Sequence, residues 1–311
     1  MQEIIPPADR EQLLSELTKD KFLRKTNYGD NEIYIFTHND SPTLMNEIGR
    51  LRELTFRTAG GGTGKASDID SFDISGNPYQ QLIVWDPNEK EILGGYRYFI
   101  CKKAKNMSDE NYSDLATSRL FNLSDKFISD YAPYLIELGR SFVQPRYQSR
   151  AAGRKSLFAL DNLWDGLGGL WIENPESRYF FGKVTMYTHF NRQARNMILF
   201  FMNKYFKDKE QLCLPKVPLN IDHEDETLKK VFKENIFKED YKILSKNVRA
   251  LGENIPPLIN AYMNLSSSMK TFGTALNPHF GGVEETGIMI TIKDIYPKKA
   301  SRHVLTYKQK F

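Results

Sequence analysis

Cysteine is nearly absent: Cys101 and Cys213 are the two in 311 residues, with no C-x-x-C spacing and no neighbouring histidine. That excludes a disulfide framework, and no metal site is expected. Long hydrophobic runs are missing too. The richest apolar stretch, 197–206, is interrupted by Asn203 and Lys204 and falls well short of the roughly 18 residues needed to cross a bilayer. The N-terminal segment has no basic run followed by an apolar one, so it does not read as a signal peptide, and a cytoplasmic location is expected. The net charge is only +4, spread along the chain without a basic arm, so no nucleic-acid reader is indicated. Internal repeats and low-complexity tracts are also lacking.

What is present is ample core material, with 40% hydrophobic and 13% aromatic residues. Hydrophobic periodicity predicts a helix over 11–23, a strand over 32–37, and a helix over 43–57 with Leu44, Ile48, Leu51 and Leu54 or Phe56 inward. A glycine-rich loop follows at 59–65, then strands at 81–86 and 92–101. A helix near Ser124, a strand over 134–143, a helix over 155–167, a strand over 179–187 and a helix over 192–206 complete the pattern. This order predicts an α/β (α+β) fold with a mixed sheet flanked by helices. Three regions are delimited. Residues 1–206 form the core, 207–254 a charged insert or arm, and 255–311 a helix and strands that complete or extend the sheet. An independent second domain is the alternative for the last.

Two apparent motifs fail. Gly64-Lys65 lacks the Ser/Thr and the preceding strand of a phosphate loop, leaving a flexible cleft cover or a plain surface loop. His279 to Glu284 only approximates a His-x4-Asp acyltransferase signature, and a structural turn explains it as well.

Polar residues inside apolar strands are more informative. Arg97 sits in the strand 92–101, where alternation places it with Leu93 and Phe99. A buried arginine needs carboxylates, and Asp68, Asp70 and Asp73 are natural suppliers. Glu137 and Arg140 lie in the strand 134–143, and a bulge near Gly139 would bring them to one side. A purely structural ion-pair network accounts for the same residues. The next turn carries Arg146, Arg150, Arg154 and Lys155 at a helix start, a setting that favours a phosphate.

Taken together these segments resemble the GNAT superfamily of acyltransferases. Arg52-Glu-Leu-Thr-Phe56, Asp70-Ser-Phe-Asp73, Gly95-Tyr-Arg97 and Glu137-Leu-Gly-Arg140 look like motifs of its acyl-homoserine-lactone synthase and ornithine-lipid branch. Pro256 to Tyr262 and Asn277 to Gly281 resemble the C-terminal part of the lipid N-acyltransferases. The run Arg50 to Lys65 is most similar to glycine N-acyltransferases of bacterial glycine-lipid synthesis, sometimes labelled haemolysins.

The resemblance implies a splayed sheet and direct transfer of a long, 3-hydroxy acyl chain from a carrier thioester to glycine. Acyl carrier protein or coenzyme A is then a co-substrate, with no resident cofactor, and acyl carrier protein is the expected partner. Peripheral contact with membrane lipid is a further expectation. Glu137 is the expected base, with Arg97 and Arg140 beside it. Arg52, Asp70, Asp73 and Ser141 would shape the acceptor end, and Arg150, Gly153, Arg154 and Lys155 would meet the donor. Ala151-Ala152-Gly153 is a poor phosphate loop, which favours the carrier protein over coenzyme A. Ornithine as acceptor and a catalytically silent acyl-carrier or lipid binder are the alternatives.

Overall fold

The computed structural model describes residues 1–104, 114–148, 154–221 and 225–307, the side chains of 154–157 excepted. In chain order the elements are α1 (Arg10–Glu16), β1 (Phe22–Lys25), β2 (Glu32–Phe36), α2 (Pro42–Thr58), α3 (Ser71–Ile74), β3 (Gln80–Asp86), β4 (Glu91–Ile100) and β5 (Phe121–Leu123). They continue with β6 (Leu135–Val143), α4 (Arg154–Glu173), β7 (Tyr179–Met186), α5 (Arg192–Phe206), β8 (Cys213–Pro215), α6 (Glu226–Val231) and α7 (Phe237–Ala250). The chain closes with α8 (Pro257–Met263), β9 (Lys270–Asn277), β10 (Val283–Thr291) and α9 (Pro297–His303).

Eight strands form one sheet in the order β1-β2-β3-β4-β6-β7-β10-β9, and β5 pairs with β8 separately. Every neighbouring pair in the large sheet is antiparallel except β6 and β7. The mixed α/β class read from the sequence is therefore the one observed.

Alternation along the strands sends side chains to two faces. Leu82, Val84, Tyr96 and Tyr98 pack with Leu163 and Leu167 of α4 and with the inner side of α5. Ile83, Trp85 and Phe142 face the other way, onto Leu44, Ile48, Leu51 and Phe56 of α2. Each such fully buried side chain contributes about 1.5–3 kcal/mol. Helix α2 starts at Pro42, and the Glu16 carboxylate accepts from the free Thr43 and Leu44 amides at 2.9 and 2.8 Å. A cap borrowed from α1 thus ties two helices together.

Several expectations need correction. The first helix is shorter than 11–23 and gives way to the edge strand β1. Near Ser124 there is no regular α-helix but a π turn followed by a 3-10 turn. Leu93 is not on the Arg97 face: the register with β3 slips between Val84 and Trp85, so Leu93 joins Tyr96 and Tyr98 while Arg97 stays with Phe99. The segment 207–254, expected as a charged insert or arm, packs against α5 through its aromatic residues. Phe201 of α5 meets Phe232, Phe237 and Tyr241 at ring distances of 5.9, 5.4 and 6.1 Å. Asp240, fully buried, accepts from Lys204 at 2.8 Å and from Tyr205 at 2.6 Å.

Candidate active site

The parallel pairing of β6 and β7 covers only Leu135 to Leu138 against Tyr179 to Gly182. Gly182 is needed at the last pair, because a Cβ there would stand 2.5 Å from the Leu138 carbonyl oxygen. Beyond it the strands part. On its other edge β6 slips one residue against β4, pairing Gly139 with Arg97 but Phe142 with Gly95, and Arg140 takes a φ of 49°. The bulge expected near Gly139 thus falls one residue later.

A cavity of about 440 Å³ opens where the strands part, and its walls come from both faces of the sheet. Ala159 and Leu160 of α4 and Leu258 and Ile259 of α8 make an apolar side. Tyr79, Arg97, Glu137, Arg140, Lys183 and Glu285 make a charged one. Ser141 also lines the cavity.

Behind the charged side stands a closed network. Arg52 meets Asp73 at 3.1 Å, and Gln81 bridges the two. Arg97 holds Asp70 at 2.8 Å and Asp73 at 3.0 Å. Arg140 Nε lies 2.8 Å from Asp68, without hydrogen-bond alignment, and its Nη2 lies 3.6 Å from Asp70. Burial opposes the charge on Asp73, but Arg97 and Arg52 outweigh it and hold the carboxyl well below the usual range. Burial also opposes the charge on Arg97, and Asp73 and Asp70 raise its pKa in spite of it. Arg52 and Asp73 are at 0% exposure and reach no cavity wall, nor does Asp70. These three stand behind Arg97 and Arg140, which line the cavity.

Glu137, 1% exposed, accepts from the Thr117 amide at 2.7 Å, the Ala116 amide at 3.1 Å and the Tyr79 hydroxyl. Burial, then Glu137, pushes the Tyr79 phenol well above its ordinary range. Among the described residues Glu285 accepts only from Asn277 at 3.2 Å and, at the limit, from Thr185 at 3.5 Å. Burial and then Glu285 push Tyr187 beside it up to about 12. Lys183 Nζ is 3.3 Å from Thr117 Oγ1.

The sequence reading missed Tyr79 and Lys183, and left Glu285 unassigned except, with Glu284, as the residue that would face the acceptor were ornithine preferred. Lys183 was findable by the logic applied to Arg97, since it is the lone charge in the strand 179–187. Arg150 and Gly153 lie outside the described residues, as do the side chains of Arg154 and Lys155, although α4 does begin at Arg154. His279 is exposed on a 3-10 turn and does not line the cavity, although the next residue, Phe280, does. The glycine-rich loop is tied down: Glu53 accepts from the Thr63 amide, the Thr63 hydroxyl and the Gly64 amide at 3.0, 2.7 and 2.8 Å. Among the described residues no helix is long and apolar enough to cross a membrane.

Parted parallel strands in a mixed sheet, with a cavity running between them, define an acyltransferase of the GNAT class, and residues 51–156 match the acetyltransferase (GNAT) domain family. Across 307 residues the chain is 54% identical to the glycine N(alpha)-acyltransferase of Phocaeicola vulgatus, covering 99% of this chain and 94% of that protein. It is equally similar, at 54% over 307 residues, to the glycine N(alpha)-acyltransferase of Bacteroides thetaiotaomicron, covering 99% and 91%. The chain belongs to the same N-acyltransferase family as these two proteins. Among solved structures, a CoA-dependent acyl-homoserine lactone synthase aligns over 87% of this chain and 86% of its own, with 13% identity and a TM-score of 0.39.

Proposed function

We propose that this enzyme moves a long, 3-hydroxylated fatty acyl group from an acyl carrier protein thioester to the amine of glycine. The observation that carries the reading is the cavity through the parted strands, apolar toward α4 and α8 and charged on the opposite side. A lipid thioester and a zwitterion suit those two ends, and the relatives named above supply glycine as acceptor.

In this reaction the glycine ammonium first loses a proton. The free amine attacks the thioester carbonyl, the C–N bond forms, the C–S bond breaks, and the carrier leaves as its thiol. The products are N-acylglycine, thiol and one proton. Glu137 takes the ammonium proton, directly or through a water. Its oxygens hold three donors, which leaves one of about four lone-pair directions for this task. The Nε–H of Arg97 is buried and has no acceptor among the described residues, so it is available to the carbonyl oxygen as charge builds there. Arg140 stacks its guanidinium 4.2 Å over the Phe280 ring and fixes the cavity wall beside it. Asp70 and Asp73 hold Arg97, Arg52 braces Asp73 from behind, and Ser141 in the cavity wall helps shape the acceptor end. Arg150, Gly153, Arg154 and Lys155 receive the phosphate of the carrier arm at the start of α4. The product is an anionic single-chain amphiphile, delivered to membrane lipid by an enzyme working from the cytoplasmic side.

The test is turnover of purified protein with glycine and, side by side, acyl carrier protein and coenzyme A thioesters, with products resolved by mass. N-acylglycine from the carrier thioester supports the reading. A marked preference for the coenzyme A donor overturns the donor assignment, and no thioester turnover overturns the whole.

A further inference from the structure

Two charged side chains of the cavity belong neither to the arginine network nor to the donor end. Lys183 lies on β7 and Glu285 on β10, and the register pairs Thr185 with Glu285 and Lys183 with Gly287. Lys183 and Glu285 are therefore diagonal neighbours on one face, with Cα atoms roughly 7–8 Å apart and Cβ atoms somewhat closer. They nevertheless form no ion pair with each other. Among the described residues Lys183 has only the Thr117 hydroxyl, and Glu285 has an amide and one distant hydroxyl. Glu285 is 4% exposed, so a carboxylate this thinly supported stands largely out of water.

The network behind them cannot fill the same role. Its three arginines are matched by Asp68, Asp70 and Asp73, which leaves no guanidinium charge uncompensated for an incoming carboxylate. Glu137 already holds three donors, which makes it the poorer partner for an ammonium.

We infer that Lys183 and Glu285 hold the amino-acid acceptor as a zwitterion between them, the lysine on its carboxylate and the glutamate on its ammonium. The inference rests on the amino-acid acceptor proposed above. The diagonal spacing suits a compact zwitterion, whose charged groups are joined through one N–Cα and one Cα–C bond of about 1.5 Å each. Held this way, the acceptor nitrogen stays on the charged side of the cavity, with Glu137 and Arg97 in the same wall.

The experiment compares glycine with glycinamide, which keeps the amine and lacks the carboxylate. Lys183→Met should raise the KM for glycine about 10–100-fold, the worth of a charge-assisted hydrogen bond. The KM values for glycinamide and for the acyl donor should not move, and Lys183→Arg should restore part of the loss. Glu285→Gln should raise the KM for both amines about tenfold, with a smaller change in kcat. Thermal melts of each variant, with Lys183→Gln as a second neutral replacement, separate these effects from misfolding. Equal losses on glycine and glycinamide in Lys183→Met, or an unchanged glycine KM, overturn the lysine assignment. Unchanged KM values in Glu285→Gln overturn the glutamate assignment. A parent protein that turns over thioester but acylates neither amine overturns the acceptor reading itself, and the inference with it.

Discussion

The two groups of charges on this face of the sheet are built in opposite ways. Arg52, Arg97 and Arg140 are matched charge for charge by three aspartates, and the innermost members are sealed from water. Lys183 and Glu285 have opposite charges on adjacent strands, and each is left with neutral partners. A matched set fixes its members and leaves no uncompensated charge for an ionic ligand, only the Arg97 Nε–H, which has no acceptor among the described residues. An unmatched pair carries a standing cost that a bound zwitterion relieves. The closed set therefore builds the wall, and the open pair faces the substrate.

Glu137 has a foot in both groups, and its replacement is expected to have the largest effect. Glu137→Gln should lower kcat by about 10²–10⁴-fold if the carboxylate takes the proton. The amide cannot accept from the Thr117 amide on one side and from Ala116 and Tyr79 on the other, so a lower melting temperature should accompany the loss. A kcat within about threefold of the parent would move Glu137 wholly into the structural set.

Next comes the closed network. Asp73→Ala strands Arg52 and Arg97 together and should cost about 3–5 kcal/mol in denaturant unfolding. The sign of the pH effect follows from the depressed carboxyls of Asp73 and Asp70, where burial is outweighed by Arg97. Their contribution is fully present above the unfolded aspartate pKa of about 3.9 and is lost as pH falls through the lower folded values. Parent stability should fall steeply below about pH 4, and Asp73→Asn should flatten that limb. A parent that holds its stability there would show that the matched set is not ionised as drawn.

A competition assay sharpens the other side of the comparison. With glycine and ornithine equal and one acyl donor, N-acylglycine should exceed N-acylornithine by about 100-fold, since the distal ammonium would lie buried without a free carboxylate. Comparable yields would mean that a second cavity carboxylate is open. The smallest effect is expected at the exposed pair Lys90–Glu11, 2.7 Å apart, where Lys90→Ala should change stability by less than about 0.5 kcal/mol.

The sequence made legible what depends on local pattern. Helices α2 and α5 and strands β3, β4, β6 and β7 were readable as apolar segments of the right length, although register slips in β4 and β6 break strict alternation. Strand β1 was not, because its Arg24 is buried with donors satisfied by the His303 carbonyl, Asn27 and Thr306, some of them remote in sequence. The fate of 207–254 was hidden for a similar reason. Its charges suggest solvent, while Phe232, Phe237 and Tyr241 find their pocket only once α5 is in place. In the site, the need of Arg97 for aspartates was readable from burial alone. Which of Glu284 and Glu285 faces the cavity was not, because a one-residue change of register exchanges them. In the fold Glu284 pairs with Arg195 and Glu285 lines the cavity.

The neck between β6 and β7 bears on how a catalytic cycle ends. In the proposed reaction the reactants approach from opposite sides of the sheet, and the product is a single molecule threaded through it. One end is a fatty tail against α4 and α8, the other a charged head beside Lys183 and Glu285. It can leave only by drawing one end through the gap, and the two-carbon head is the slimmer. Unthreading toward the lipid side requires the head's carboxylate to leave Lys183 first, the acylated nitrogen having lost the charge that paired it with Glu285, and departure is then expected to be the slow event. Thiol release in the first turnover should then outrun the steady rate, and Lys183→Met should shrink that burst.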